Sequence, residues 1–186
     1  MIQINTTSFK LLFIISFFIP SLSYSQTKTV NPDSIFKVID GRYTVEKIVS
    51  VENIAKNNLY QKGLRWLVLT YRSANNVIQL QDSINGEIIG KGNLNTICWN
   101  KKIDVEHTID ILFKDGRFKV VVNQLIITIH NSANGIDYPH TESIETLKLN
   151  GKDKLKLYTA VNNEIEKLIN DLTNSMQSES KAKEDW

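Results

Sequence analysis

The segment Ile103–Val122 does most to limit what this chain can fold into. Ile103, Val105, His107, Ile109, Ile111 and Phe113 recur at every second position, with Asp104, Glu106, Thr108 and Asp110 between them. Successive side chains of a strand point to opposite faces, so the pattern predicts a strand buried on one side only. Asp115-Gly116 follows, a strong signal for a tight hairpin turn. A two-residue turn there pairs Phe113 with Phe118, Ile111 with Val120 and Ile109 with Val122. All six then share the buried face, and a slip of one residue would turn them all outward. Past Val122 the parity changes, because Leu125, Ile127 and Ile129 fall in the other phase. Either a bulge around Asn123-Gln124 restores the register, or the end of this strand is covered on both faces.

A second hairpin is read from Val77–Gln81 and Glu87–Gly92, joined by a loop ending in Asn85-Gly86. Gly90 and Gly92 lie inside its second strand, where glycine marks a bulge or another element passing close above. Gly90-Lys91-Gly92 lacks the G-x-x-x-x-G-K-[ST] spacing of a phosphate loop and precedes no helix. Arg42–Val51 reads as a first strand, and Asn93–Lys102 as strand and then loop. Asn53–Arg72 is a helix whose apolar half carries Leu59, Tyr60, Gly63, Leu64, Trp66, Leu67 and Tyr71. So broad a face suits a helix lying across a sheet, with Trp66 as a core anchor and Gly63 at a close approach. Lys154–Ser178 is a second helix with a narrower stripe: Tyr158, Val161, Ile165, Leu168, Leu172 and Met176. Asn131–Gly151 is mostly loop. Runs of hairpins exclude a parallel sheet. The expected fold is α+β: an antiparallel sheet of about five strands in the order β-α-β-β-β-β-α, with both helices on one face.

The ends speak to location. Lys10 precedes the apolar run Leu11–Ile19, which is too short for a membrane span and is followed by Pro20 and small residues at Ser23 and Ser25. Residues 1–25 are therefore expected to be a signal peptide cleaved before Gln26, with no integral membrane anchor left afterwards. The destination expected is the periplasm or cell envelope of a Gram-negative bacterium. Residues 26–41 read as a linker or loosely docked arm, 42–176 as one domain, and 177–186 as a flexible charged tail. Loss of Lys10 lowers the net charge from +2 to +1. That balance gives no electrostatic reason to expect nucleic acid. Cys98 is the only cysteine, so no internal disulfide forms, and it reads as a small buried residue, not a nucleophile.

Leu59-Tyr60, Trp66, Val77-Ile78-Gln79, Asp82 and Gly86-Glu87-Ile88-Ile89-Gly90-Lys91-Gly92 carry a resemblance. They look like a domain of unknown function with a TATA-binding-protein-like fold, found in exported proteins of Bacteroidota. The similarity runs over roughly Val45–Ile129. Relatives often carry a helix-capping serine where this chain has Ala55. The resemblance implies the strand, helix, four strands and helix read above. It brings no activity, cofactor or catalytic residue with it, and the name of a fold is not a function. Saddle-type DNA binding also needs basic groups and apolar wedges aimed at a minor groove, which a chain of charge +1 supplies poorly.

Little else in the chain resembles chemistry. No serine sits in a nucleophile elbow, no carboxylate pair faces a common cleft, and no cofactor motif occurs. His107 on the buried face reads as a satisfied core histidine. His130 and His140 frame a loop with Asp137 and Glu142, spaced too loosely to fix a metal geometry. The expected role is a non-catalytic binding module for an envelope protein or ligand, using the polar face of Asp104, Glu106, Thr108, Asp110, Lys119 and Asn123. Trp99, in a Cys98–Lys102 loop, is expected as an exposed aromatic anchor, with Lys101 and Lys102 beside it. The alternative is a metal-dependent hydrolase built on the His130–Glu142 loop.

Overall fold

The computed structural model of the chain describes residues 31–71 and 77–178. The signal peptide expected over 1–25 and the tail from residue 179 onward lie outside the described residues. In chain order the elements are β1 (Lys37–Ile39), β2 (Arg42–Ser50), α1 (Lys56–Thr70), β3 (Ile78–Asp82), β4 (Glu87–Cys98), β5 (Lys101–Lys114), β6 (Arg117–Ile129), β7 (Ser132–Ala133), β8 (Ile136–Asp137), β9 (His140–Ser143) and α2 (Gly151–Gln177). The main sheet runs β1-β2-β6-β5-β4-β3, with β9 also paired to β6 and every pairing antiparallel. The strands outnumber the five expected, while the α+β class holds.

The β5–β6 hairpin has the register expected from its pattern: Phe113 faces Phe118, Ile111 faces Val120 and Ile109 faces Val122. These side chains and Ile103, Val105, Leu125 and Ile127 form the floor of the core. The phase change is a bulge. Gln124 takes φ +53, and the register shifts between Glu106 and Thr108, so Gln124 and Leu125 oppose His107 alone. This break divides one edge of β6 between two partners. β2 pairs with Arg117–Val122, and β9 pairs with Ile126–Ile129.

Both helices cover the same face of the sheet. α1 buries Leu59, Tyr60, Gly63, Trp66 and Leu67. α2 buries the expected stripe together with Leu157 and Ile169. Three glycines let α1 approach closely. A Cβ on Gly63 would lie 2.3 Å from the Phe113 ring, one on Gly90 3.3 Å from the Leu67 methyls, and one on Gly92 2.1 Å from the Tyr71 ring. Helix and strand thus exchange knobs: Phe113 fills the gap at Gly63, while Leu67 and Tyr71 fill those at Gly90 and Gly92.

Ala55 offers α1 no side-chain cap. The cap comes from across the sheet, where Asp115 Oδ1 accepts the Lys56 N–H at 2.7 Å. The same turn is stitched to the start of the helix by Gly116 N–H to Ile54 O (2.9 Å) and Val51 N–H to Gly116 O (2.8 Å). A carboxylate here also favours the positive end of the helix dipole. Asp115→Ala is therefore expected to lower stability by about 1 kcal/mol in urea unfolding, with Asp115→Asn recovering most of it.

Three segments differ from the sequence reading. Residues 31–41, expected as a linker or loosely docked arm, dock firmly: Phe36 is buried, and its ring packs on Tyr43 (5.6 Å) and Tyr158 (5.4 Å). Lys154 on α2 holds Asp33 of this arm at 2.6 Å. The expected Cys98–Lys102 loop is a two-residue turn, with Trp99 at φ +54 and Asn100 at φ +58 and Lys101 already in β5. Asn131–Gly151, expected as mostly loop, contains β7, β8 and β9.

Candidate functional site

The helix-free face of the sheet carries the odd-numbered residues of β4 and the even-numbered residues of β5. β6 contributes its odd-numbered residues up to Asn123 and, past the bulge, Gln124, Ile126 and Thr128. At the bulge an open cleft of about 840 Å³ is lined chiefly by Lys91, Asn93, Asn95, Glu106, Thr108 and Gln124. Ile126, Thr70, Tyr71 and Val77 also line it.

Elsewhere on this face several polar groups are paired, while among the described residues Glu87, Asp110, Lys114, Arg117 and Asn123 make no side-chain hydrogen bond or ion pair. Glu46 accepts from Lys119 at 2.7 Å and lies 3.8 Å from Lys37. The Lys119 hydrogen bond holds its carboxyl below the usual range. Thr128 and Thr141 hydroxyls share a bond at 2.9 Å. In the cleft, Thr108 donates to Gln124 Oε1 at 2.9 Å. Among the described residues, the side chains of Lys91, Asn93, Asn95 and Glu106 have no hydrogen-bond or ion-pair partner. One cation, one anion and two amides are thus presented together, unpaired and exposed. Asp110 lies further along β5 on the same face. Burial, with the Glu87 charge second, pushes its carboxyl up to about 6, and its Oδ1 is buried without a partner.

Beneath the cleft lies a buried polar pair. His107 is 2% exposed, and its Nε2 is 2.7 Å from the Tyr71 hydroxyl. Its Nδ1 is 3.3 Å from Val105 O, an acceptor only, so Nδ1 carries the proton and Nε2 accepts from Tyr71. Burial pushes His107 down to about 4 and pushes the Tyr71 hydroxyl up. Both are neutral and satisfied at neutral pH, so neither is poised as a base or nucleophile. The core-histidine reading of His107 fits this geometry.

The three residues expected to bind sit at the β4–β5 turn and its flank. Trp99, expected as exposed, is half-buried, and its indole N–H donates to Asp153 Oδ1 at 2.9 Å in the first turn of α2. Lys101 Nζ donates to Asn131 Oδ1 at 2.6 Å. Lys102 Nζ lies 3.0 Å from Asp104 Oδ1. Cys98 is 1% exposed, and burial pushes its thiol up, away from nucleophilic use.

His130 lies between two carboxylates, with Nε2 2.8 Å from Asp104 Oδ2 and Nδ1 2.6 Å from Asp137 Oδ2. In the imidazolium both nitrogens donate to these carboxylates, and that form has no lone pair to bind a metal or take a proton from water. His140 pairs with Glu142 at 3.3 Å. Among the described residues no group of three histidine, cysteine or acidic side chains is placed to hold a metal ion. No described helix is long and apolar enough to cross a membrane. The free amides Asn93 and Asn95 were not singled out by the sequence; their alternation with Gly92 and Leu94 on β4 was the available signal.

A twisted antiparallel sheet with two helices on one face and an open polar face on the other defines the TBP-like class of α+β proteins. The model of a family described as a domain of unknown function (DUF4468) with TBP-like fold matches residues 43–127. Two solved structures show the same fold. A TBP-like protein from Parabacteroides distasonis aligns with TM-score 0.66 and 15% identity over 78% of this chain and 99% of its own. A DUF4468 family protein from Bacteroides ovatus aligns with TM-score 0.61 and 14% identity over 80% of this chain and 94% of its own. None of the curated proteins compared matches the chain.

Proposed function

We propose that this chain is an exported, non-catalytic binding module of the cell envelope that holds its partner in the cleft over the β-bulge. The observation that carries the reading is the set of unpaired side chains gathered in one cleft, Lys91, Asn93, Asn95 and Glu106. Polar, wet surfaces of this kind suit specific contacts of moderate strength. Export is supported by Lys10 and the short apolar run Leu11–Ile19. Lys102, on the same face beyond Asp104, supplies a basic rim. Trp99 and Lys101 fix the turn that carries it. The hydrolase alternative draws no support from His130, whose nitrogens both face carboxylates.

The test is co-purification from envelope extract with the tagged mature chain, run beside the Asn93→Ala/Asn95→Ala double variant and Trp99→Ala. Two lost hydrogen bonds of about 1 kcal/mol each weaken binding roughly tenfold or more. The expected result is a partner retained by the wild type and lost by the double variant at unchanged melting temperature. Partner lists identical for all three proteins would remove the cleft from the reading.

A further inference from the structure

The hairpin formed by β7 and β8 stands away from the core. Residues 132–140 are all exposed, and Asn134 (φ +52) and Gly135 (φ +78) form its tip. Its own backbone bonds are few: β7 pairs with β8, and Tyr138 N–H donates to Asn131 O at 2.7 Å. Its far strand runs on into β9, which pairs with β6 from His140, and Asn131 Nδ2 donates to Tyr138 O at 3.3 Å; the side chain that bonds β8 itself to the sheet is His130. That residue directly follows β6, its N–H donating to Lys102 O at 3.0 Å, and its ring reaches Asp104 on β5 and Asp137 on β8. We infer that the His130 imidazolium is a pH-released latch, tying this hairpin to the sheet when charged and letting it go when neutral.

An imidazolium has two N–H groups and satisfies both carboxylates; a neutral imidazole has one N–H and one lone pair. After deprotonation one carboxylate must face that lone pair at hydrogen-bond distance, which is repulsive. The two carboxylates are not equivalent. The Asp104 side chain is 17% exposed and the Asp137 side chain 45%. The more buried carboxylate needs the remaining proton more, and Asp137 can turn to water at little cost. Asp137 is therefore the contact that opens.

The other charged groups nearby do not replace His130. On β5, Lys102 Nζ donates to Asp104 Oδ2 (3.2 Å), and Lys101 is engaged with Asn131 (2.6 Å). On β9, His140 and Glu142 pair with each other. Burial opposes ionisation of Asp104, yet the bonds from His130 and Lys102 hold it ionised below the usual range. The hydrogen bonds to Asp137 first and Asp104 second raise His130 above its ordinary value. The sign follows. A histidine raised by folding contributes its tie fully below its unfolded value near 6.5, and loses it as pH rises through the folded value.

The experiment is a pH titration of the full chain by NMR, reading the His130 ring nitrogens and hydrogen exchange of the hairpin amides, Tyr138 among them. The expected result is a His130 midpoint above 6.5. Across that midpoint hairpin protection, corrected for intrinsic exchange, should fall roughly two- to fivefold, the range an exposed ion pair commands. Asp137→Asn, at an exposed position, should lower the midpoint and abolish the pH dependence while β5 and β6 amides stay protected. Asp104→Asn should lower the midpoint as well. A His130 midpoint at or below 6.5, or hairpin protection unchanged across it, overturns the latch.

Discussion

Phe113→Ala is expected to lower the stability of this domain by about 3–5 kcal/mol, the range for deleting a buried aromatic ring. Phe113 is 1% exposed and stands where the sheet, α1 and the β5–β6 turn meet. Its ring points into the space left by Gly63, and it packs edge-on to Tyr60 at 6.0 Å and tilted against Phe118 at 6.3 Å. Neighbours cannot collapse into the hole. Gly63 has no side chain to move, and the backbone near the turn is fixed by Phe113 N–H to Gly86 O at 2.7 Å. Against a typical total of roughly 5–15 kcal/mol, the loss takes a large share of what holds the fold. Urea unfolding followed by circular dichroism checks it, with a lower midpoint at an unchanged slope. Phe113→Leu should cost much less, because it keeps most of the volume facing Gly63. Equal losses in the two variants would mean that the Gly63 contact is not where Phe113 acts.

Much of this geometry was legible in the sequence where local and tertiary demands agree. The β5–β6 register followed from alternation and Asp115-Gly116, and of the two readings the phase change left open, the structure has the bulge at Gln124. The glycine pair Gly90 and Gly92 announced the passage of α1 overhead. Elsewhere a distant partner decided the local structure. Trp99 carries no turn preference, and an L-residue in the left-handed region costs roughly 1–2 kcal/mol. It sits at φ +54 with its indole bonded to Asp153, 54 residues further on. The cap of α1 comes from Asp115, 59 residues away, so Ala55 gave no sign of it. The 31–41 arm docks through Phe36 onto Tyr43 and Tyr158, a cluster that only the folded chain assembles. β9 is four mostly polar residues, and its place is set by the β6 edge that the bulge leaves open. The cleft was half legible: the polar face was read from β5 alone, whereas its unpaired amides come from β4.

Gly92→Ala is expected to cost about 2–6 kcal/mol, because two separate losses follow from one methyl group. The added Cβ would lie 2.1 Å from the Tyr71 ring and 2.8 Å from its hydroxyl, far inside contact. The ring has little room to retreat. Trp66 packs edge-on to it at 6.3 Å and His107 lies at 5.9 Å. Overpacking of this kind costs about 1–3 kcal/mol. Displacing the Tyr71 hydroxyl also leaves His107 Nε2 without its donor, and a buried unsatisfied group costs about 1–3 kcal/mol more. Tyr71→Phe separates the terms, since it removes the donor and leaves the ring in place. The pH dependence supplies a second readout. Burial holds His107 down to about 4, below the unfolded value near 6.5. Its neutral form therefore contributes stability above about pH 6.5, and that contribution is lost as pH falls toward 4. If Gly92→Ala opens the site to water, His107 should titrate closer to 6.5 and the variant should lose less stability on acidification than the wild type. A Gly92→Ala protein with wild-type stability and His107 still near 4 would show that α1 rides higher over β4 than this packing requires.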